Sequence, residues 1–144
     1  MHAFSSYESP SFPCCYSSII YYTNVIVAYW YGYYLYSALF AAILITSLFH
    51  HSTKTSIAYW IDQIFVITVS IYSLYILFDK IAQGIKNIIY YAIIAGTFLG
   101  TMVLYFYGNV NACFCFAKDP NESDRWHQLL HLITSILHNF IVIL

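Results

Sequence analysis

Long apolar stretches alternate with short polar loops along this chain. Residues 16–51 contain no Asp, Glu, Lys or Arg. They are too many for one membrane span, because about 20 residues cross the hydrocarbon core, and Gly32 divides them into two helices. The loops HSTKTS, DKIAQGIKN and GNVNACFCFAKDPNESD separate the segments that follow. The pattern predicts helices at about residues 16–31, 33–51, 57–78, 88–107 and 125–144.

These boundaries predict an all-α fold, a polytopic transmembrane helix bundle of about five helices. The first helix is short enough to lie in the membrane interface, which leaves four spans. Pro120 marks the start of the last helix, with Ser123 or Asp124 as its N-cap, since Ser and Asp side chains accept from free backbone N–H groups there. Residues 1–15 form an N-terminal polar tail, and residues 16–144 form a single transmembrane helical domain.

The composition supports a membrane location and excludes nucleic acid as a partner. Hydrophobic residues make up 61% of the chain and charged residues only 8%, whereas soluble domains carry roughly 25% charged residues. Five Lys and Arg against six Asp and Glu leave no basic surface to neutralise phosphates. The 21% aromatic residues, sixteen of them Tyr, are typical of belts at the lipid-water boundary.

Ionisable residues at the helix ends converge on one side of the membrane. Ser47 and His51 are four residues apart, as are His127 and His131, so each pair occupies one helix face. Asp62 lies within the first two turns of the third predicted helix. Because successive spans alternate in direction, the end of the second predicted helix and the starts of the third and the last share one membrane depth. The five residues therefore form a candidate site.

Three imidazoles, two from an i, i+4 pair and one from a facing helix, are the protein ligands of an ordinary catalytic zinc site. His51, His127 and His131 are the predicted ligands, and Asp62 is the predicted base. The competing interpretation is that each histidine near a helix end reaches for the interface. His138 lies seven residues beyond His131 and is predicted to support a ligand by hydrogen bonding or to pack in the core.

This order of residues resembles the CREST superfamily of membrane hydrolases, which includes the alkaline ceramidases, the adiponectin and progestin receptors and the haemolysin III proteins. The shared pattern is Ser-x3-His, an Asp eleven residues later, and a distant His-x3-His that opens the last membrane helix. The resemblance implies zinc on three histidines, an activated water, and a Ser and an Asp that assist hydrolysis of a lipid amide. The matching residues are Ser47, His51, Asp62, His127 and His131.

The chain also departs from the CREST pattern. Members usually have seven membrane helices, and here two between Asp62 and His127 are missing. The spacing of Thr46 and His50 matches that of Ser47 and His51, so His50 is the alternative ligand. The shortened bundle also leaves open a homo-oligomer or a larger membrane complex.

Two other functions remain open at this point. A haem b-binding anchor subunit of a respiratory complex, of the succinate dehydrogenase type, has a similar length and a His-to-Asp spacing like that of His51 and Asp62. A structural membrane subunit without catalysis would suit the composition equally. The hydrolase hypothesis favours an endomembrane or plasma-membrane location and a membrane lipid as substrate. The haem hypothesis implies the mitochondrial inner membrane.

Four cysteines occur as two close pairs, in CC and CFC. Disulfides between the pairs would need an oxidising compartment, adjacent cysteines also suit palmitoylation, and free thiols are the favoured alternative. The residues are Cys14, Cys15, Cys113 and Cys115.

Overall fold

The computed structural model describes residues 10–144, of which 85% are helical and none is in a strand. The predicted all-helical bundle is confirmed, with five helices of ten residues or more among the described residues. The α-helices are α1 Phe12–Ser18, α2 Tyr21–Trp30, α3 Tyr34–Thr53, α4 Ser56–Ala82, α5 Ile88–Met102, α6 Gly108–Asn111 and α7 Pro120–Ile143. A π-helical turn, Val103–Tyr107, joins α5 to α6, and a 3-10 turn, Phe114–Phe116, precedes α7.

Short turns with local caps separate the long helices. Gly32 adopts a φ of +81° between α2 and α3, a conformation that glycine takes without steric cost, and this is the predicted break. Lys54 ends α3 in the left-handed region, and the Thr55 side chain then caps α4 by accepting from the Ala58 N–H. Two residues are therefore enough to reverse the chain between α3 and α4.

The predicted cap of the last helix is wrong. Neither Ser123 nor Asp124 is the N-cap, because Asp119 accepts from the Asn121 N–H and Pro120 occupies the first helical turn. A Pro has no N–H to leave unpaired at that position, so the helix begins one turn earlier than predicted. Because Asp124 lies inside the helix and is not its cap, its side chain can contact α1.

The N-terminal part contains two short helices where one was predicted. Helix α1 begins at Phe12, with Ser11 as its cap, inside the stretch predicted as a polar tail; the tail residues 1–9 lie outside the described residues. The chain then bends at Ile19 and Ile20 before α2 begins. Neither short helix can cross a hydrocarbon core, since that requires about 20 residues.

Helix α2 packs against both α3 and α7, while α4 packs on α3 and α5 packs on α7. A hydrogen bond from the Tyr105 hydroxyl to Gln63 also joins the end of the α5 segment to α4. The core shared by α2, α3, α4 and α7 contains large side chains that are almost fully buried, which are Tyr36, Phe40, Ile76, Val69 and Val142.

Within residues 10–144, three helical stretches are long and apolar enough to cross a membrane, namely Tyr34–Thr53, Ser56–Ala82 and Ile88–Phe116. Helix α7 was predicted as a fourth span and has 24 residues, but it is not among the three. Its first two turns carry Glu122, Asp124 and Arg125, and its buried face carries histidines and a serine. The spans identify the chain as a membrane protein.

Candidate metal centre

Three histidines from two helices meet at one end of the bundle. His51 comes from the last turn of α3, and His127 and His131 come from the first half of α7. Each offers a ring nitrogen, and the three nitrogens lie within 4.8 Å of one another. The ring centroids are 4.9 Å apart for His51 and His127, 5.3 Å for His51 and His131, and 4.7 Å for His127 and His131. We call these three residues the histidine cluster.

The cluster suits a metal ion by burial and by donor chemistry. His51 and His131 are 2% and 4% exposed, and the buried Nδ1 atom of His51 has no hydrogen-bond partner among the described residues. Leaving such an atom unsatisfied costs about 1–3 kcal/mol. Imidazoles are favoured zinc ligands. Two nitrogen ligands about 2.0–2.1 Å from one tetrahedral zinc ion lie about 3.4 Å apart, so binding would draw these nitrogens closer together by ring rotation.

Helix α1 contributes residues that the sequence did not single out. The Ser17 hydroxyl lies 2.8 Å from Nδ1 of His131, and the Ser18 hydroxyl lies 2.9 Å from that of Ser47. Ser11 donates its N–H to the His51 carbonyl and its hydroxyl to Asp124. The spacing of Ser11, Cys14 and Ser18 places them on one helix face, and the Ser-x-Pro start indicates an N-cap. These features could have revealed α1.

The two predicted catalytic residues, Ser47 and Asp62, bond to different partners. Ser47 is buried and contacts Ser18, as described above, whereas Asp62 accepts from the Thr46 hydroxyl at 2.9 Å. The sequence allowed two equally spaced pairs, Ser47 with His51 and Thr46 with His50. The structure uses one residue of each pair, since His51 belongs to the cluster and Thr46 donates to Asp62. Asp62 is itself only 6% exposed.

The alternative ligand His50 lies beside the cluster and not in it. Its ring centroid is 4.9 Å from that of His51 and 5.5 Å from that of Tyr59. Adjacent residues on a helix point about 100° apart, so only one of the two rings can face α7. The structure places the His51 ring toward α7.

His138 lies deeper along α7, where its Nδ1 atom is 2.6 Å from the Tyr36 hydroxyl. Its ring also packs edge-on against Phe40. Of the two roles that the sequence predicted, this arrangement matches a core histidine that joins α7 to α3.

An open groove of about 520 Å³ runs along the surface between α1 and α7. Ser17 is one of its lining residues, so the hydroxyl that contacts His131 also borders the groove. The other lining residues are Tyr16, Ile20, Gln128, Leu129 and Leu132. The groove is thus mostly apolar, and Ser17 is the lining residue that contacts the histidine cluster.

All four cysteines carry free thiols. The Cys14 sulfur lies 3.4 Å from the Asp124 carboxylate, and burial raises the pKa of its thiol to about 12. A thiol that stays protonated is a weak nucleophile and a weak metal ligand. Cys14 therefore serves the packing of α1 against α7.

Comparisons with models of protein families, with curated proteins and with solved structures found no match.

Proposed function

We propose that this protein is an integral membrane zinc-dependent hydrolase that cleaves an amide or ester bond in a ceramide-like lipid. The observation that carries the proposal is the convergence of three buried or half-buried imidazoles from two helices. Zn²⁺ with three protein ligands acts as a Lewis acid and lowers the pKa of water to about 7. His51, His127 and His131 would hold it.

Ser47 and Asp62 are the proposed catalytic residues around this centre. In hydrolysis, the oxygen of water bonds to the carbonyl carbon, and the bond from that carbon to the amide nitrogen or ester oxygen breaks. Asp62 takes the proton that the water loses and passes it to the leaving group. Without substrate, Ser47 donates to Ser18, because the Ser18 hydroxyl donates to the Cys14 carbonyl; in the complex, Ser47 turns that hydrogen to the substrate carbonyl. The Thr46 hydroxyl orients the carboxylate of Asp62 through the bond already described.

A lipid substrate is supported by the surroundings of the cluster. The described part of the chain has three stretches that can span a membrane, and the groove between α1 and α7 is lined mainly by apolar side chains. Ionisable groups in such surroundings normally mark functional sites. The proposed activity is also the one that the resemblance to the CREST hydrolases implies, with a bundle shorter than is usual for that group.

The cluster geometry favours zinc over haem. A haem iron accepts at most two axial ligands from protein, because the porphyrin nitrogens take the other positions. Here three imidazole rings lie within about 5 Å of each other, as ring centroid distances of 4.7, 4.9 and 5.3 Å show. A third ring in that position would have no role in a haem site.

The test is elemental analysis together with an absorption spectrum of the detergent-purified protein. We expect about one zinc per chain in the wild type and its loss in the double variant His127→Ala/His131→Ala. Hydrolysis of ceramide-like amides and of the corresponding esters is then measured on the zinc-loaded protein. A Soret band would instead favour a haem-binding anchor subunit, and the absence of both metal and haem would favour a structural subunit.

A further inference from the structure

The hydroxyl of Ser17 connects the short helix α1 to the histidine cluster. We infer that Ser17 is a positioning residue that keeps His131 in the tautomer and orientation needed to bind a metal ion. The inference rests on the proposed zinc centre, and it adds a residue outside the Ser, His and Asp pattern on which that proposal was built. It also gives helix α1 a role in the centre.

Hydrogen-bond accounting supports this assignment. The Ser17 hydroxyl lies 3.0 Å from the Cys14 carbonyl oxygen and 2.8 Å from Nδ1 of His131. A carbonyl can only accept, and we assign the single hydroxyl hydrogen of Ser17 to the Cys14 carbonyl, which also accepts from the Ser18 hydroxyl at 2.8 Å. The serine oxygen then accepts from an N–H at Nδ1 of His131. A neutral imidazole protonated at Nδ1 has its lone pair at Nε2, which is the form that binds a metal ion through Nε2.

Other contacts hold α1 in place without His131. Ser11 bonds to the His51 carbonyl and to Asp124, at 3.0 and 2.7 Å. Ser18 bonds to Ser47 at 2.9 Å. These contacts with α3 and with the first turns of α7 position the Ser17 oxygen independently of its contact with the His131 ring. A prearranged acceptor of this kind lowers the cost of orienting a ligand.

An oxygen acceptor at the second ring nitrogen of a histidine ligand raises the metal affinity of that histidine. Histidine ligands usually donate their second ring N–H to an oxygen acceptor, and removing that acceptor typically lowers metal affinity by about 10- to 100-fold. Among the described residues, the buried Nδ1 atom of His51 has no hydrogen-bond partner, whereas that of His131 has Ser17. Removing the hydroxyl of Ser17 would therefore deprive the cluster of its one identified acceptor at an Nδ1 position.

The experiment measures zinc affinity on the full chain in detergent, by competition with a chromophoric chelator. Ser17→Ala should weaken zinc binding about 10- to 100-fold, and Ser17→Thr, which retains a hydroxyl, should restore most of it. Ser70→Ala is the matched control, because the Ser70 hydroxyl bonds only to the Val66 carbonyl on the exposed face of α4. The control should bind zinc as the wild type does.

The thermal midpoint of each zinc-free protein separates positioning from packing. A positioning role predicts that zinc-free Ser17→Ala unfolds close to the zinc-free wild type, with a smaller shift on adding zinc. If the zinc-free midpoint falls as well and Ser17→Thr does not recover zinc binding, the inference is overturned. Unchanged zinc affinity in Ser17→Ala overturns this inference alone, whereas a wild type that binds no zinc overturns the proposed function with it.

Discussion

His50 and His51 are adjacent, yet the structure gives them different surroundings. The Nδ1 atoms of both are buried and lack a hydrogen-bond partner among the described residues. His51 faces two imidazoles across the helix interface, so a shared cation would offset its desolvation. His50 instead packs against the Tyr59 ring. Both histidines therefore bear the cost of a buried, unpaired nitrogen, but only His51 lies where a bound cation could offset it.

The roles of Ser47 and Asp62 can be separated from metal binding by substitution. We expect Ser47→Ala and Asp62→Asn to retain zinc and to lose turnover, because neither side chain belongs to the three-nitrogen set. Loss of a general base typically lowers the rate by about 10²- to 10⁴-fold. Zinc content and hydrolysis of a ceramide-like substrate are measured on the same preparations.

Asp79→Asn is the matched control for Asp62→Asn. Asp79 is exposed near the other end of α4 and accepts from Gln83, so its loss should change neither zinc nor turnover. Loss of zinc in Asp62→Asn would contradict the proposed role and place the carboxylate among the ligands.

At the scale of helices, a buried polar group joins α2 to α7. Asn24 is 2% exposed and donates to the Ser135 carbonyl and to Asn139, while its own carbonyl oxygen accepts from the Ser135 hydroxyl. Thr23 adds contacts to the same two α7 residues. Satisfied polar networks in an apolar surrounding specify one packing arrangement. They fix the rotation of α7 and hence the direction of its histidines.

The stability of this contact can be measured directly. Asn24→Ala removes three hydrogen bonds and leaves partners on α7 unpaired, which should cost about 1–3 kcal/mol. Unfolding in mixed detergent micelles, followed by circular dichroism, gives the difference from the wild type. Asn111→Ala is the control, because Asn111 is exposed and bonds only to the Tyr107 carbonyl. Equal stability of both variants would show that apolar contacts alone hold α2 to α7.

The opposite end of the bundle is also closed by a polar contact. Lys80 is buried near the end of α4, donates to the Val142 carbonyl in the last turn of α7 and lies over the Tyr33 ring. The last carbonyls of a helix have no partner within it, and a lysine is a suitable donor for one of them. Helices α4 and α7 are therefore tied together far from the histidine cluster.

Considered as a whole, the molecule leaves a large apolar surface uncovered. Helix α4 exposes apolar side chains every three or four residues, so they form one continuous stripe. Its members include Ile57, Trp60, Ile64, Ile67, Ile71, Tyr75 and Phe78. A continuous exposed apolar stripe of this length is unusual on a soluble monomer and matches the lipid-facing side of a membrane helix.

The whole chain should therefore behave as an integral membrane protein. We expect it to remain in the membrane pellet after extraction with alkaline carbonate and to require detergent for release. A peripheral protein of the same host membrane, which carbonate releases, is the control. Release of this chain by carbonate would contradict the assignment of the three spans.

The sequence by itself determined the architecture at the level of elements. Uncharged runs bounded by polar loops predicted the starts of the three spanning helices to within one residue, because hydrocarbon requires helices with all backbone groups paired. The first predicted helix is two short helices in the structure, and the last begins five residues earlier than predicted. The i, i+4 spacing likewise placed His127 and His131 on one face, since that spacing is intrinsic to a helix.

Only the tertiary structure decided which residues meet across helices. The i, i+4 spacing allows either pair to face the site, Thr46 with His50 or Ser47 with His51, because a rotation of the helix by one residue replaces one pair with the other. The packing of α3 against α7 and α4 chose His51 for the cluster and Thr46 for Asp62. The contact of Ser17 with His131 joins residues 114 positions apart. It depends on how α1 folds back over the bundle, which no local pattern encodes.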